Sequence, residues 1–412
     1  MESIALREVL QRAACRIGCA EDLVWGDLDS AAAGLTKVLL ETLAESEVER
    51  RVGVRLYERG EGRTDHRNGY RKRIAQLSYQ VVEIRIPRLR GQGFVPSFLQ
   101  PGHRAIAQVE SWVDKALMAG LSRSEVIRLL ESTTGCRPSE KLLVRVQREL
   151  DRRVKEFRER PLTGRHQYLF LDAAWAKDIV GLHATRICIM TAVGVTYSGE
   201  KEVLGFERTP VENEPAWRGF LSRLVARGLK PSELCLVISD EHKGLMSAAL
   251  EVLGDVPFQL CWAHRCRNVR KSVNACDRKA VIAGLREVYQ APSLGAAKDA
   301  LRRWCVRWMQ KYPNVVASVE EDSGWLLAFF TCPVPSDGAC PQLHWEYVRT
   351  TNPIERVFRE LRRQQFGCGA FANRDACNRA VYRVFAWLNE LWTGKDIWQP
   401  RATKRKQLAL AA

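Results

Sequence analysis

Three runs of almost uninterrupted apolar residues, at positions 168–172, 186–195 and 234–238, constrain the fold of this 412-residue chain more than any other feature. Runs of this length and composition are typical of strands that are covered on both faces of a sheet. Amphipathic helices are predicted at 213–228 and 243–253. Further strands are predicted at 202–206 and 257–261. This order of strands and helices predicts a mixed α/β layer architecture.

Two aspartates follow buried runs. Asp172 ends the segment YLFLD, and Asp240 ends the segment LCLVISD. An acid at the carboxyl end of a buried strand is held at the rim of the sheet, where α/β proteins place their sites. For either aspartate alone, a turn or a helix cap is the stronger interpretation, because aspartate often ends a strand in that way.

A glutamate occurs near the start of a predicted helix in RTTNPIERVFRELRR. Asn352 is a suitable N-cap, and Glu355 lies three residues after it. One interpretation is a capping box, in which Glu355 accepts the Asn352 amide. The other is functional, because Glu355 shares a helix face with Arg359 and Arg362 and so presents a carboxylate amid arginines, as a phosphate-rich ligand would require.

Three carboxylates of this kind suit phosphodiester chemistry. Cleavage needs an activated oxygen and a stabilised leaving oxygen, and two magnesium ions can serve both. Magnesium takes oxygen ligands and is often held by a few carboxylates together with substrate oxygens. We therefore interpret Asp172, Asp240 and Glu355 as candidate catalytic residues and metal ligands.

The charge of the chain favours a polyanionic partner. Its formal net charge is +16, and its isoelectric point is about 9.4. Nucleic acid is the commonest such partner, although an ordinary basic enzyme would have the same composition. The 13 cysteines mostly lie singly in apolar runs, which is typical of reduced thiols rather than of a disulfide framework. With no secretory signal or membrane-spanning run, we expect a cytoplasmic protein.

The first part of the chain is mainly helical by pattern, with one basic segment. Residues 63–73 read RTDHRNGYRKR, with Asn68-Gly69 as a turn signal. A strand pair is predicted at 76–94, in which the alternating run at 81–86 is ended by Pro87. Ser122 or Ser124 is predicted to cap a helix, residues 133–135 form a turn, and Ser139 opens a basic helix. This outline suits a helix-turn-helix, and it suits a plain helical hairpin equally well.

The chain resembles the Mutator-type transposases of bacterial insertion sequences, which belong to the Asp-Asp-Glu recombinases with an RNase H-like core. LDAAWAK, ISDEHKGL and RTTNPIERVFRELRRQ resemble the motifs of the three acids, and RNGYRKR with VEIRIPRLRGQGF resembles the amino-terminal DNA-binding stretch. ALMAGLSRSEVIRLL resembles the helical segment before the core. The resemblance implies that Asp172, Asp240 and Glu355 bind two Mg²⁺ ions, with Mn²⁺ as a substitute.

The resemblance also implies an organisation of the whole chain. An RNase H-like mixed-sheet core is interrupted by an all-helical insertion and preceded by a mainly helical DNA-binding region. The expected parts are a DNA-binding region at 1–160, the first part of the core at 161–264, the helical insertion at 265–345, the last part of the core at 346–400, and a basic tail at 401–412. The expected partners are terminal inverted repeats and target DNA, bound by a homodimer, in a bacterial cytoplasm and at the nucleoid.

Between the second and third acids, QLCWAHRCRNV resembles the family's Cys-x-x-His signature, which gives Cys261 and His264. We interpret both as supporting the active site or contacting DNA. A zinc site would need further ligands from a distance. Its candidates are Cys332, Cys340 and His344. Basic helices following a DNA backbone and the basic amino-terminal segment supply the predicted DNA contacts. These are Arg67, Asn68, Tyr70, Arg71, Lys72, Arg73, Arg265, Arg267, Asn268, Arg270, Arg359, Arg362 and Arg363.

Two positions depart from the family pattern, which usually has glycine at Glu241 and arginine at Leu260. Glu241 adds a negative charge beside Asp240, which would alter metal affinity or mark a degenerate copy. Two other functions therefore stay open. One is an RNase H-like nuclease without strand transfer, which the long amino-terminal region disfavours. The other is a non-catalytic DNA-binding protein derived from a transposase, which the three intact acids disfavour.

Overall fold

The fold was analysed in a computed structural model of the chain. It describes residues 6–18, 28–58, 60, 62–76, 81–91, 93–99, 107–119, 121–134, 137–181, 183–332, 341–366, 369–395 and 397. The predicted basic tail at 401–412 lies outside the described residues, as do Gly135 of the predicted turn and Cys340. None of the helices in the described ranges is long and apolar enough to cross a membrane.

The chain divides into two compact units, Met1–Asp151 and Arg152–Ala412. The first unit contains helices, a strand pair and the beginning of α5, which ends in the second unit. Its elements are α1 (Leu6–Gly18), α2 (Leu28–Val52), β1 (Arg67–Gln76), β2 (Val81–Leu89), α3 (Ala107–Met118), α4 (Arg123–Thr134) and α5 (Glu140–Glu159).

The basic segment of the first unit is itself a strand. β1 pairs with β2 in an antiparallel ribbon. One face of the ribbon packs on α2, because Val82, Ile84 and Ile86 are buried and alternate with exposed residues. The predicted turn at Asn68-Gly69 is wrong: these residues lie within β1, where the register shifts, and Gly69 has φ +69°. Pro87 does not end β2, which continues to Leu89.

Helices α3, α4 and α5 surround a second small core. α4 begins as predicted after Ser122, whose hydroxyl accepts the Glu125 amide at 3.3 Å while the Glu125 carboxylate accepts the Ser122 amide at 2.7 Å. This reciprocal arrangement is a capping box. The predicted turn at 133–135 is wrong at its start, because α4 continues through Thr134. The Ser139 hydroxyl accepts the Leu142 amide at 3.3 Å at the start of α5, as expected for a cap.

The second unit is built on a sheet of five strands within the described residues, in the order β5-β4-β3-β6-β7. β3, β4 and β5 are antiparallel neighbours, whereas β6 and β7 run parallel to β3. The prediction of a mixed α/β architecture is therefore confirmed. The strands are β3 (His166–Val180), β4 (His183–Thr196), β5 (Lys201–Thr209), β6 (Leu236–Ser239) and β7 (Phe258–Leu260).

Helices surround this sheet, and one long helical stretch separates β7 from the helix that carries Glu355. The helices are α6 (Glu214–Ala226), α7 (Lys243–Leu253), α8 (Trp262–Ser272), α9 (Arg278–Tyr289), α10 (Leu294–Trp308), α11 (Pro313–Glu321), α12 (Ser323–Leu326), α13 (Pro341–Val348), α14 (Asn352–Phe366) and α15 (Arg374–Trp392), with short 3₁₀ turns at Pro231–Glu233 and Ala328–Thr331. Of these, α14 packs on β3 and β4, and α15 packs on β5 and β3.

The predicted end of the first core strand is wrong. β3 continues eight residues beyond Asp172, to Val180, and Asp172 pairs with Thr191 of β4. After Asp172, buried and exposed residues alternate along β3. Residues on the face that α14 and α15 cover are buried, whereas Trp175 and Ile179 on the other face are exposed. A strand segment buried on one face has an alternating sequence, whereas a segment buried on both faces is a continuous apolar run. The apolar run therefore identified only the part of β3 that is buried on both faces.

Candidate active site

Asp172 and Asp240 come from neighbouring parallel strands. Phe170 of β3 is the register partner of Ile238 of β6, and each aspartate comes two residues later, Asp172 within β3 and Asp240 directly after the end of β6. Neighbouring strands are about 4.8 Å apart, and residues two apart on a strand point to the same face. The end of β6 therefore brings the Asp240 carboxylate next to Asp172, although Asp172 itself is in the middle of its strand.

Asp172 is a buried carboxylate with few donors. Its side chain is on the face covered by α14, its exposed fraction is 7%, and its Oδ1 accepts the Ala173 amide at 2.7 Å. Burial raises the pKa of Asp172 well above its usual value, and the negative charges of Asp240, Glu355 and Glu212 raise it further. Three acidic side chains thus act electrostatically on the buried Asp172 carboxylate.

Asp240 is held in a tight turn that leads into α7. Its Oδ1 accepts the His242 amide at 3.2 Å. His242 in turn caps α7, because its Nδ1 accepts the Leu245 amide at 3.2 Å. The turn therefore orients the Asp240 carboxylate through its own backbone, which is a common use of aspartate after a strand. The turn interpretation and the functional interpretation of Asp240 are compatible.

Glu355 lies in the first turn of α14, which begins one residue earlier than predicted. The carbonyl of Thr351, not of Asn352, accepts the first helical amides, those of Ile354 and Glu355, both at 3.0 Å. The capping-box interpretation of Glu355 is wrong, because the Asn352 amide donates to the Thr350 hydroxyl at 3.5 Å.

The Glu355 carboxylate instead accepts a hydrogen bond from Arg267 Nη2 at 3.5 Å. Its side chain is about one-third exposed. It acts electrostatically on the buried Asp172 carboxylate. The carboxylate therefore faces the acidic edge of the sheet and not its own helix end.

Cys261 and His264 hold the residue that caps the Glu355 helix. Cys261 Sγ accepts the Thr351 amide at 3.2 Å and the Thr351 hydroxyl at 3.3 Å. His264 Nδ1 lies 3.4 Å from the same hydroxyl oxygen. Burial raises the pKa of Cys261 and lowers that of His264, so both side chains are kept neutral. The Cys-x-x-His signature thus joins the end of β7 to the start of α14.

Glu241 is already paired with a cation. Its Oε1 lies 2.7 Å from Nε of Arg265, and its Oε2 accepts Nδ2 of Asn268 at 3.0 Å. Arg265 also forms an ion pair with Asp322 and donates from Nη1 to Ser318 at 2.7 Å. The extra negative charge beside Asp240 is therefore offset within the protein.

Residues at the site that the sequence interpretation did not identify include Glu212 and Thr191. Glu212 follows β5, which runs parallel to β3, so it reaches the same edge of the sheet as Asp240. Trp217 Nε1 donates to it at 3.3 Å, and His242 Nδ1 lies 3.9 Å away. Burial raises the pKa of Glu212. The sequence signal that could have identified Glu212 is its position after the strand predicted at 202–206. Thr191 has no such signal, because only the β3–β4 register places it beside Asp172.

The donor set suits a hard cation, although it does not form a closed cage. Among the residues that the structure describes, no three His, Cys, Asp or Glu side chains are grouped so that they could hold a metal ion alone. Thr191 Oγ1, next to Asp172, is buried and lacks a hydrogen-bond partner. Carboxylates that repel one another and an orphaned hydroxyl oxygen are the groups that a cation with its water would satisfy.

The residues that a zinc site would need are engaged elsewhere. His344 is hydrogen-bonded to the Tyr168 hydroxyl, and Cys332 Sγ lies 3.6 Å from the Cys235 carbonyl. Cys261 accepts hydrogen bonds from Thr351, as described above. The described residues therefore offer no zinc site around the Cys-x-x-His signature.

Sequence comparison assigns these motifs to a known group of proteins. Residues 19–394 match the family described as "Transposase, Mutator family". The chain belongs to the Mutator family of transposases. One similar member is the transposase for insertion sequence element IS406 of Burkholderia multivorans, which is 33% identical over 377 residues, or 90% of this chain and 94% of the relative. The transposase for element ISRM5 of Rhizobium meliloti is 28% identical over 91% and 92% of the two chains.

A more distant member shares the same extent. The transposase for element IS256 in transposon Tn4001 of Staphylococcus aureus is 26% identical over 88% of this chain and 91% of its own. Because the matched regions include the β1–β2 ribbon, the sheet and α14, the similarity to transposases extends over both units and is not confined to one motif.

The predicted DNA contacts of this family member have different environments. Arg265 is buried and ion-paired, so it is unavailable to a DNA backbone, in contrast to the prediction. Arg267, at the acidic edge, remains about half exposed. The other predicted contacts in this unit are exposed to solvent; they are Asn268, Arg270, Arg359, Arg362 and Arg363.

In the first unit, two of the arginines predicted to contact DNA donate to backbone carbonyls of other residues in the same unit. Arg71 Nη2 donates to the Phe94 carbonyl at 2.7 Å, and Arg67 Nη1 donates to the Val54 carbonyl at 3.4 Å. Lys72 forms an exposed pair with Glu83 at 2.9 Å. Burial and Glu45 raise the pKa of Tyr70 to about 12. The remaining two are Asn68, which is exposed, and Arg73, which is half-buried.

Proposed function

We propose that this chain is a DNA transposase that cleaves the ends of an insertion sequence and joins them to target DNA. The observation that carries the proposal is the juxtaposition of Asp172 and Asp240 at the end of β6, with Glu355 acting electrostatically on the same buried carboxylate. The transposase relatives supply the substrate class, since their elements are DNA. A homodimer on DNA would bring two element ends together.

The catalytic unit is proposed to be RNase H-like. In support, three antiparallel strands are followed by two parallel ones in the order β5-β4-β3-β6-β7, with Asp172 on the central strand β3 and Asp240 directly after the adjacent strand β6. Helices α8 to α13 lie between β7 and the helix that carries Glu355, and they are proposed to be the helical insertion.

Asp172, Asp240 and Glu355 are proposed to hold two Mg²⁺ ions, or Mn²⁺ in their place. When bound, such ions activate the attacking oxygen and stabilise the leaving oxygen of an in-line phosphodiester displacement. Magnesium is commonly bound by one or two carboxylates plus substrate phosphates, so these carboxylates would hold an ion whose remaining ligands are water and then DNA phosphates.

The protein groups orient this chemistry. Buried Asp172 lies in a region of low dielectric, where its interactions with charge are strong. Arg267 pairs with the Glu355 carboxylate in the absence of a metal ion. Its exposed guanidinium is close enough to the site to bind a phosphate of the substrate. Thr351, fixed by Cys261 and His264, sets the position of the helix turn from which Glu355 projects.

A strand-transfer assay tests the proposal. Wild type and Glu355→Gln are compared with Mg²⁺ and DNA carrying the element's own ends, and Glu360→Gln on the same helix is the matched control. We expect cleavage and joining to fall at least 100-fold in Glu355→Gln only, with unchanged binding to the ends. Cleavage without joining in the wild type would favour a plain nuclease. Binding without any chemistry would favour a DNA-binding protein derived from a transposase.

A further inference from the structure

One buried arginine connects three segments around Asp240. Arg265 of α8 has an exposed fraction of 3%. Its Nε lies 2.7 Å from Glu241 Oε1, its Nη2 is paired with Asp322, and its Nη1 donates to Ser318 at 2.7 Å. Glu241 directly follows Asp240, whereas Ser318 and Asp322 lie at the end of α11 and just before α12. The guanidinium is therefore ion-paired with both Glu241 and Asp322, and the contact between its Nε and Glu241 Oε1 is an ion pair without a hydrogen bond.

The environment of this cluster makes its geometry costly to change. Removing one member of a buried ion pair leaves an uncompensated charge, which is far more unfavourable than losing an exposed pair. Glu241 is further fixed by Asn268 at 3.0 Å. Its position cannot shift without moving the preceding residue, because the Asp240 turn is itself closed by the His242 amide.

We propose that Arg265 is a positioning residue for Asp240, acting through Glu241, and that the Glu241–Arg265–Asp322 cluster ties α11 and α12 to the metal-binding edge of the sheet. This inference rests on the proposed function for the role of Asp240. Arg265 is then neither a DNA contact nor a merely structural residue, and Glu241 is part of the working site rather than a sign of a degenerate copy.

The role predicts a specific pattern among variants. Arg265→Gln removes the cation from Glu241 and Asp322, so Glu241 no longer fixes the position of the preceding Asp240 and metal binding weakens. Arg265→Lys keeps the charge but cannot bridge two carboxylates with one planar fork, so it restores only part of the effect. Glu241→Gln breaks the link to Asp240 yet keeps the Arg265–Asp322 pair. Once Arg265 is Gln, the additional change of Glu241 should have little further effect.

The first readout is Mn²⁺ binding by the full-length, DNA-free protein, followed by electron paramagnetic resonance. We expect Arg265→Gln and Glu241→Gln to raise the Mn²⁺ Kd at least fivefold, Arg265→Lys to raise it less, and the double variant to match Arg265→Gln. The control is Arg302→Gln, an exposed arginine of α10 paired with Asp299. Thermal unfolding identifies any variant that fails to fold, and Glu241→Gln, which leaves Arg265 paired, then carries the test.

The second readout is binding to the element ends without metal, which the proposal expects to be unchanged in every variant. Equal Mn²⁺ affinity in the wild type and in folded Arg265→Gln and Glu241→Gln would overturn the proposal. A selective loss of DNA binding in Arg265→Gln would also overturn it, in favour of a DNA contact. If the wild type binds Mn²⁺ but cleaves nothing, the proposed function fails, whereas the shift in Kd still decides the role of Arg265.

Discussion

Cys261 Sγ accepts both the backbone amide and the hydroxyl of Thr351, at 3.2 and 3.3 Å, so the residue that caps the Glu355 helix is attached to the end of β7. The buried Thr351 amide has no water to bind, and the Cys261 thiol is the hydrogen-bond acceptor that it finds within the protein. The spacing in the Cys-x-x-His signature follows from this contact, since His264, one turn further on, reaches the same hydroxyl oxygen.

Replacing Cys261 should therefore affect Glu355 rather than a metal centre. In Cys261→Ala the buried Thr351 amide loses its acceptor, at a cost of about 1–3 kcal/mol in the free energy of unfolding. A displaced Glu355 should slow cleavage by up to roughly 100-fold. Urea denaturation and cleavage rates measure the two effects, with exposed Cys276→Ser as the control. An unchanged cleavage rate in a destabilised Cys261→Ala would separate the thiol from the site.

Removing the Asp172 charge should stabilise the metal-free protein. Because its pKa is raised in the folded state, that state binds more protons than the unfolded chain above pH about 3.9, and stability falls as pH rises through the folded pKa. In Asp172→Asn this loss disappears. We therefore expect Asp172→Asn to have a higher free energy of unfolding than the wild type near pH 7.

The measurement for Asp172 is the free energy of unfolding of both proteins with a chelator at pH 4 to 8. The difference between them should grow with pH and then level off. Adding Mn²⁺ should stabilise the wild type and not Asp172→Asn, because ligand binding to the folded state is what raises its stability. A constant difference across the pH range would contradict the raised pKa.

Glu212 should strengthen metal binding without being essential. Its carboxylate lies at the same sheet edge and acts electrostatically on Asp172. Loss of that negative charge in Glu212→Gln should weaken Mg²⁺ binding roughly fivefold, the equivalent of about 1 kcal/mol. Mg²⁺ titration of cleavage measures it. Glu214→Gln, an acid that pairs with Arg218 on α6, should leave the titration unchanged; equal shifts in the two variants would indicate a general charge effect.

Ser122, and not Ser124, should determine the stability of α4. Ser122 exchanges hydrogen bonds with Glu125 at the helix start. Ser122→Ala should lower the stability of the first unit by about 1 kcal/mol, the usual cost of losing an N-cap. Ser124→Ala, which lies inside the helix, should be neutral or slightly stabilising because alanine has the higher helix propensity. Urea denaturation of both full-length variants compares them, and equal losses would contradict the role of Ser122 as the cap.

Strands and helices that follow from local apolar periodicity were predicted well. The buried runs at 186–195 and 234–238, and the helix at 243–253, correspond to β4, β6 and α7, because apolar periodicity directly reflects which faces are covered. The strand predicted at 168–172 was too short, because the later half of β3 is buried on one face only. The turn predicted at Asn68-Gly69 was wrong, because these two residues lie at a register shift within β1, and asparagine and glycine suit a β-bulge as well as a turn.

The sequence by itself determined the mixed α/β architecture, the acids Asp172, Asp240 and Glu355 as candidates, and the resemblance to the Mutator family. Tertiary structure decided which of these groups meet. The β3–β6 register places Asp172 beside Asp240, the β3–β4 register adds Thr191, and the end of β5 adds Glu212. Helix packing buries Arg265 and pairs it with Glu241. Such contacts depend on strand order and helix packing between residues far apart in the chain, and no local pattern encodes them.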